Sequence, residues 1–261
     1  MHVSLLDVYR PRDAWVHQLD PRVKILVAIL FILTAVTLPE GAWIAYALLL
    51  LIIVVLASLA RLGVGFTIKR SLIALPFVLA ALPLPFLTPG EILFTIPILG
   101  WGVTTAGTLR FFTILVRTWI AVQAGVLLSA TTKVSDILWG LGRLGVPRII
   151  VATVGFMVRY LFVLADEALR MIRARISRSP RLAGARPPGF VWQGRTVGMM
   201  VGSLFLRSLE RSERVYAAMV SRGYDGQLRT FEPSNMESVD WTALGISVLI
   251  LVGILALGFW G

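Results

Sequence analysis

The chain has 261 residues, 57% of them hydrophobic, and carries 25 Lys and Arg against 14 Asp and Glu, a formal net charge of +11. So apolar a composition describes an integral membrane protein, and the basic surplus then marks a cytoplasmic face rather than a nucleic-acid surface. Cysteine is absent and His2 and His17 are the only imidazoles, which excludes disulfides, iron–sulfur clusters and thiolate or histidine-cluster metal sites.

At the N-terminus Arg10, Arg12, Arg22 and Lys24 precede an apolar run that lacks a small-residue cleavage pattern, so the first span is expected to be retained. Asp20-Pro21 reads as a helix N-cap followed by proline at the first helical position. Four apolar segments follow, at about Val23–Leu38, Ala42–Leu59, Leu72–Leu87 and Gly107–Ala130. The link at Pro39–Gly41 has no Lys or Arg, whereas the next carries Arg61, Lys69 and Arg70. Thr88–Thr108 is again free of basic residues, and the fourth link holds Lys133, Arg143 and Arg148. This alternation gives a cytoplasmic N-terminus and four crossings. Pro76, Pro83 and Pro85 predict a kinked or broken third segment. Arg110 and Arg117 are seven residues apart and share one face of the fourth. Arg110 is placed to snorkel outward, and Arg117 is expected to bond helix-end carbonyls inside the bundle.

Beyond Pro147 the pattern changes. Ile149–Ala165 is apolar enough to cross, but a crossing would put the run Arg170–Arg195 outside the cell. It would also bury Arg159 mid-span, at a cost of roughly 2.5–3.5 kcal/mol on translocon scales. A helix lying along the membrane surface, or dipping into the bundle and returning, is expected instead. From Val158 to about Arg178, Leu161, Ala165, Leu169, Ile172 and Ile176 follow helical spacing, with Asp166 four residues before Arg170. Pro180 and the loop Gly184–Gly189 stop that helix. A second runs from about Gln193 to Arg222, with Gly202, Phe205, Leu209, Tyr216 and Met219 as its apolar stripe and Glu210–Arg214 as a four-residue pair. Gly223 can adopt the left-handed conformation that ends it. A final span, Trp241–Trp260, has tryptophan at both ends. The expected fold is an all-α polytopic membrane protein of about five spans. Its parts are a four-span region (1–148), a cytoplasmic pair of amphipathic helices (149–232) and a last span (233–261), with the C-terminus outside.

Both amphipathic helices end in a small–Arg–small triplet, Ser177-Arg178-Ser179 and Ser221-Arg222-Gly223. An arginine there complements the helix dipole, and its donor fork is open to carboxylates or carbonyls of a partner. The order of several elements resembles the transmembrane (T) component of energy-coupling-factor transporters, most closely the cobalt-type CbiQ group. They are His17-Gln18-Leu19-Asp20-Pro21-Arg22-Val23-Lys24, Leu144-Gly145-Val146-Pro147-Arg148, Arg159-Tyr160-Leu161-Phe162-Val163-Leu164, Asp166-Glu167-Ala168 and Ser221-Arg222-Gly223-Tyr224-Asp225-Gly226.

The resemblance covers nearly the whole chain. It implies two cytoplasmic ABC-type ATPase subunits, each receiving one coupling helix at an Ala-Arg-Gly triplet, with Arg178 and Arg222 as the docking arginines. The chain departs from that pattern: Ser221 replaces Ala in the second triplet, the first lacks Gly, and Ala174-Arg175-Ile176 is an alternative first match. A separate substrate-binding membrane (S) subunit is also implied, with Co²⁺ or Ni²⁺ as cargo in the cobalt-type group and vitamins in related components. Neither a Gly-x-x-x-x-Gly-Lys-Ser/Thr phosphate loop nor a dinucleotide fingerprint is present, so ATP and Mg²⁺ are expected on the partners and no cofactor on this chain. Two other classes are an enzyme acting on lipid phosphates and a stand-alone channel. The spans hold no Ser/His/Asp or paired-carboxylate constellation for the first and too few polar residues for the second.

Overall fold

The computed structural model describes residues 15–72, 75–96, 101–178, 189–225 and 236–260. Residues 145–232 form one compact unit, and 8–144 together with 233–261 form another.

In the unit built from the two flanks, a short turn of helix α1 (Trp15–Gln18) leads into α2 (Pro21–Thr37). The start of α2 follows the expected chemistry: the Asp20 carboxylate accepts the Arg22 amide at 2.8 Å, and Pro21 sits where a backbone donor would be unpaired anyway. α3 (Trp43–Leu59) follows. At 17 residues each, α2 and α3 are about 25 Å long, the short end of what crosses a bilayer core.

The third apolar segment is not one span. The basic link before it carries α4 (Val64–Ser71), and among the described residues the segment itself holds only α5 (Leu75–Ala81) and α6 (Leu84–Leu87), the longer of them seven residues. The three prolines expected to break it lack the amide a continuous helix needs, and Pro83 becomes the cap of α6. What looked like a turn-rich link holds an antiparallel pair, β1 (Ile92–Ile96) with β2 (Trp101–Thr104), with Ile92 opposite Thr104, a one-residue shift of register before Phe94, and Ile96 opposite Trp101.

α7 (Thr105–Thr131) is capped by Thr104, whose hydroxyl accepts the Gly107 amide at 3.2 Å. Gly107 is required for close approach: a Cβ there would lie 2.7 Å from Leu84 O and from Pro85 Cα. α8 (Val134–Arg143) lies where only a basic link was expected. Its Trp139 ring lies under the Arg22 guanidinium, with Cζ 4.5 Å from the ring centre. Its Gly140 lets the helix close on Ile25, whose Cδ1 would be 2.9 Å from an added Cβ.

α11 (Ser238–Trp260) closes the unit, and its head is joined to that of α2. Asp240, buried, accepts the Asp20 amide at 2.9 Å with one carboxylate oxygen and the Glu237 amide at 3.0 Å with the other. The second bond is the reciprocal half of a capping box. The core runs through Phe31 and Ala35 of α2, Tyr46 and Leu49 of α3, Ile120 and Leu127 of α7, and Leu251 and Ile254 of α11. Where lipid is the alternative surroundings, such close packing holds helices together more than exclusion of water does.

The other unit holds α9 (Arg148–Arg178) and α10 (Phe190–Ser221), both unbroken, about 46 and 48 Å long at 1.5 Å per residue. Of the two arrangements expected for Ile149–Ala165, lying along the membrane surface or dipping in and returning, the return within the stretch does not occur. No proline or glycine pair interrupts that stretch, so it runs straight on into the arginine-bearing half. By length and composition alone, α7, α9 and α11 are each able to cross a membrane. The chain is a helical, polytopic membrane protein.

Candidate functional site

The two arginine-tipped ends are built differently. α10 terminates in a complete Schellman motif: Gly223 adopts φ +80°, its amide donates to Val220 O at 2.9 Å, and the Tyr224 amide donates to Met219 O at 3.0 Å. The Tyr224 ring is then held edge-on against Phe156 of α9, centroids 6.5 Å apart. Arg222, the C-cap, is exposed on this fixed corner with no side-chain partner among the described residues. Ser221 turns its hydroxyl back onto Ala218 O at 3.0 Å, so it keeps the corner small rather than offering a donor outward.

At the end of α9, Ser177 likewise donates to Ala174 O at 3.0 Å, and Arg178 is exposed. Ser179 and Gly226 lie outside the described residues, as do His2, Arg10, Arg12, Pro180, Arg181, Arg186 and residues 184–188 of the expected loop. Arg175, the alternative arginine, is partly engaged: its guanidinium lies 5.7 Å from the centre of the Trp192 ring at the start of α10.

Between the two helices Glu167 accepts from Arg170 at 2.5 Å and from Arg207 at 3.0 Å. The hydrogen bond from Arg170 is the main reason its carboxyl sits below the ordinary carboxylate range; burial opposes this and Arg207 adds to it. The sequence pattern does not disclose this bridge. It pairs Asp166 with Arg170 and Glu210 with Arg214, and neither ion pair forms among the described residues. Glu167 outcompetes Asp166 because it faces α10, where Arg207 shares the same carboxylate. Arg159 projects from α9 without a partner among the described residues.

The apolar stripe read on α10 is not covered by the described residues of its own unit. Phe205, Leu209 and Tyr216 are exposed, and no described residue of α10 is buried. An apolar face of that extent on a helix pair is a surface for lipid or protein.

In the other unit Arg117 is directed at the end of α2. It donates to Leu38 O through one terminal nitrogen and to the Tyr46 hydroxyl through Nε at 2.9 Å. Tyr46 is buried, and its hydroxyl lies 3.4 Å from both Leu38 O and Pro39 O. The carbonyls at a helix C-terminus lack intrahelical donors, and the arginine supplies them. Arg110 pairs with Glu40 at 3.3 Å in an exposed position. No group of three or more His, Cys, Asp or Glu able to hold a metal ion occurs among the described residues.

A family model described as CbiQ, cobalt transport protein, matches residues 12–232. The chain is similar to the cobalt transport protein CbiQ of Rhodobacter capsulatus, 29% identical with 90% of each chain covered. It is similar as well to the energy-coupling factor transporter transmembrane protein EcfT of Thermanaerovibrio acidaminovorans, 31% identical over 97% of this chain and 95% of the relative. The EcfT protein of Lactobacillus helveticus is 28% identical over 98% and 94%. A family match from α1 through both arginine-tipped helices, together with relatives aligned nearly end to end, places this chain in the CbiQ family, as a transmembrane component of the energy-coupling-factor transporters.

Proposed function

We propose that this chain couples two cytoplasmic ATPases to a separate substrate-binding membrane subunit, so that ATP-driven movement of α9 and α10 reorients that subunit and releases its cargo inside. Residues 149–232 lie on the cytoplasmic side, with the N-terminus cytoplasmic and the C-terminus outside. The charge of this region supports that placement, since Arg170, Arg173 and Arg175 on α9 and Arg195, Arg211 and Arg214 on α10 are costly to translocate. The single observation carrying the reading is Arg222, a guanidinium unpaired among the described residues and presented on a rigid Schellman corner. On the first helix Arg178 is the docking residue, because Arg175 already stacks on Trp192.

This subunit is non-catalytic: ATP and Mg²⁺ are used by the partners. Cargo recognition belongs to the substrate-binding subunit, and Co²⁺ or Ni²⁺ is the cargo suggested by the family description and by the Rhodobacter relative's name.

The test is charge reversal in the assembled complex. Arg222→Glu abolishes ATP-driven ⁵⁷Co²⁺ uptake and weakens ATPase co-purification, because it sets a like charge against acidic groups of the partner. Full uptake by the double variant Arg178→Glu, Arg222→Glu refutes the reading. The placement is checked separately in this cysteine-free chain: Arg195→Cys is labelled by a membrane-impermeant maleimide only after the inner face is opened.

A further inference from the structure

We infer that the corner after α3 binds the headgroup phosphate of an anionic phospholipid, with the Arg61 guanidinium as its donor. α3 ends in a second complete Schellman motif: the Arg61 amide donates to Ser58 O at 3.0 Å and the Leu62 amide to Ala57 O at 3.2 Å. In α10 the left-handed place in that motif is filled by Gly223, whereas here Arg61 fills it, at φ +52°. Arg61 is the one non-glycine residue with positive φ among the described residues, and a Cβ in that conformation is strained where glycine is not. Leu62 is buried and fixes the corner against the core. Local backbone chemistry therefore calls for glycine, and an arginine stands in its place.

That guanidinium is not used inside the chain. Arg61 is exposed, with no side-chain partner among the described residues. No Asp or Glu occurs between Ala60 and Gly90, while Lys69 and Arg70 add positive charge to the same link. The helix leading to the corner says which anion completes it. Ile44, Leu51, Val55 and Leu59, at steps of seven, four and four, form one exposed apolar face of α3. In a polytopic membrane protein such a face lies against acyl chains. At 17 residues α3 is about 25 Å long, less than a bilayer core of about 30 Å, so its end stays at the hydrocarbon boundary. Headgroup phosphates are there within reach of a long side chain, and the guanidinium offers its donor fork to a phosphodiester. A soluble acidic segment gains nothing from the apolar face. The site requires only that α3 cross the bilayer, and it shares no residue with the docking ends of α9 and α10.

The experiment reconstitutes the full complex in mixed phosphatidylcholine–phosphatidylglycerol nanodiscs, with a photoreactive group beside the headgroup of one lipid or the other. Labelling of residues 59–69 is read by peptide mass spectrometry, and ATPase co-purification is scored on the same samples. Phosphatidylglycerol is expected to label this segment above its share of the bilayer. Arg61→Gly lowers that excess about fivefold, the effect of one basic residue at an anionic surface, and Arg61→Lys lowers it less. Lys69→Gln, an equal loss of charge on the same link, leaves most of it. In detergent stripped of lipid the Arg61→Gly variant, freed of left-handed strain, melts about 2–4 °C above the native protein.

Labelling unmoved by Arg61→Gly overturns the inference. So does an Arg61→Gly variant that melts below the native protein in stripped detergent, because the guanidinium would then be bonded within the protein. Equal losses with Lys69→Gln identify diffuse attraction, and displacement of the lipid by inorganic phosphate at equal concentration identifies a small-anion site; either overturns it. Loss of ATPase co-purification with labelling intact assigns Arg61 to a protein partner instead. Intact co-purification alongside lost labelling keeps this result separate from the coupling reading.

Discussion

Asp240 offers the most quantitative test of how the last helix is attached. Asp240→Ala removes the acceptor of two backbone amides, those of Asp20 and Glu237. Glu237 is exposed, so water replaces that bond, but Asp20 is buried and its amide is left unpaired. One orphaned buried donor costs about 1–3 kcal/mol, and loss of a cap adds about 1, giving roughly 2–4 kcal/mol. Relief of repulsion between Asp20 and Asp240 offsets only a few tenths, since Arg22 and Lys24 already stand nearby and the Arg22 guanidinium approaches Asp20 to 3.8 Å. For a chain of this size about 2–4 °C of melting temperature accompanies each kcal/mol, so heat-induced aggregation in detergent should begin roughly 4–16 °C earlier. Asp240→Asn keeps one acceptor oxygen and should fall between. An Ala variant that melts with the native protein would show that the carboxylate bridge contributes nothing, leaving α11 held by packing alone.

Gly107→Ala drives a methyl to 2.7 Å from the backbone of Leu84 and Pro85, which cannot rotate away. Overpacking of this kind costs about 1–3 kcal/mol, and the expected result is a lowered melting temperature with cysteine pairs across α6 and α7 cross-linking more slowly. Arg117→Leu removes the donor to the Tyr46 hydroxyl and leaves Leu38 O only the long Tyr46 contact at 3.4 Å, and should cost about 1–3 kcal/mol, while Arg117→Lys recovers part; assembly and uptake equal to the native protein would remove this role. The Glu167 carboxyl is held below its ordinary value of 4.5, so its bridge is intact above that pH and is lost as the pH falls through the depressed value. Amide exchange near Glu167 and Arg207, corrected for intrinsic rates, should therefore be flat from pH 7 to pH 5 and rise in more acid solution.

Local chemistry was readable in the sequence and distant partnership was not. Asp20-Pro21 announces the start of α2 because a cap and a proline act within three residues. The prolines at 76, 83 and 85 announce the division of the third segment because each deletes a specific amide. Gly223 announces the end of α10 for a similarly local reason. By contrast, Asp240 meets Asp20 across 220 positions and Arg207 meets Glu167 across 40, and nothing in either neighbourhood marks the pairing. α8 was hidden for another reason: its two glycines lower helix propensity, and Gly140 is there for approach to α2 rather than for a turn. The strand pair was obscured by Pro89 and Gly90 just ahead of β1, which read as a turn. For the arginine-tipped helices, periodicity gave the faces correctly but not their fate. An amphipathic stripe says that something covers it, and on α10 the described residues of its own unit do not.

The cross-links within the helix pair have a mechanical consequence. Arg175, three residues from the tip of α9, leans on Trp192 at the root of α10, while Tyr224, just past the tip of α10, leans on Phe156 near the root of α9. Each end of one helix thus rests on the base of the other, and the Glu167–Arg207 bridge joins them between those contacts. On the coupling reading proposed above, a pull at either tip would be shared by both helices.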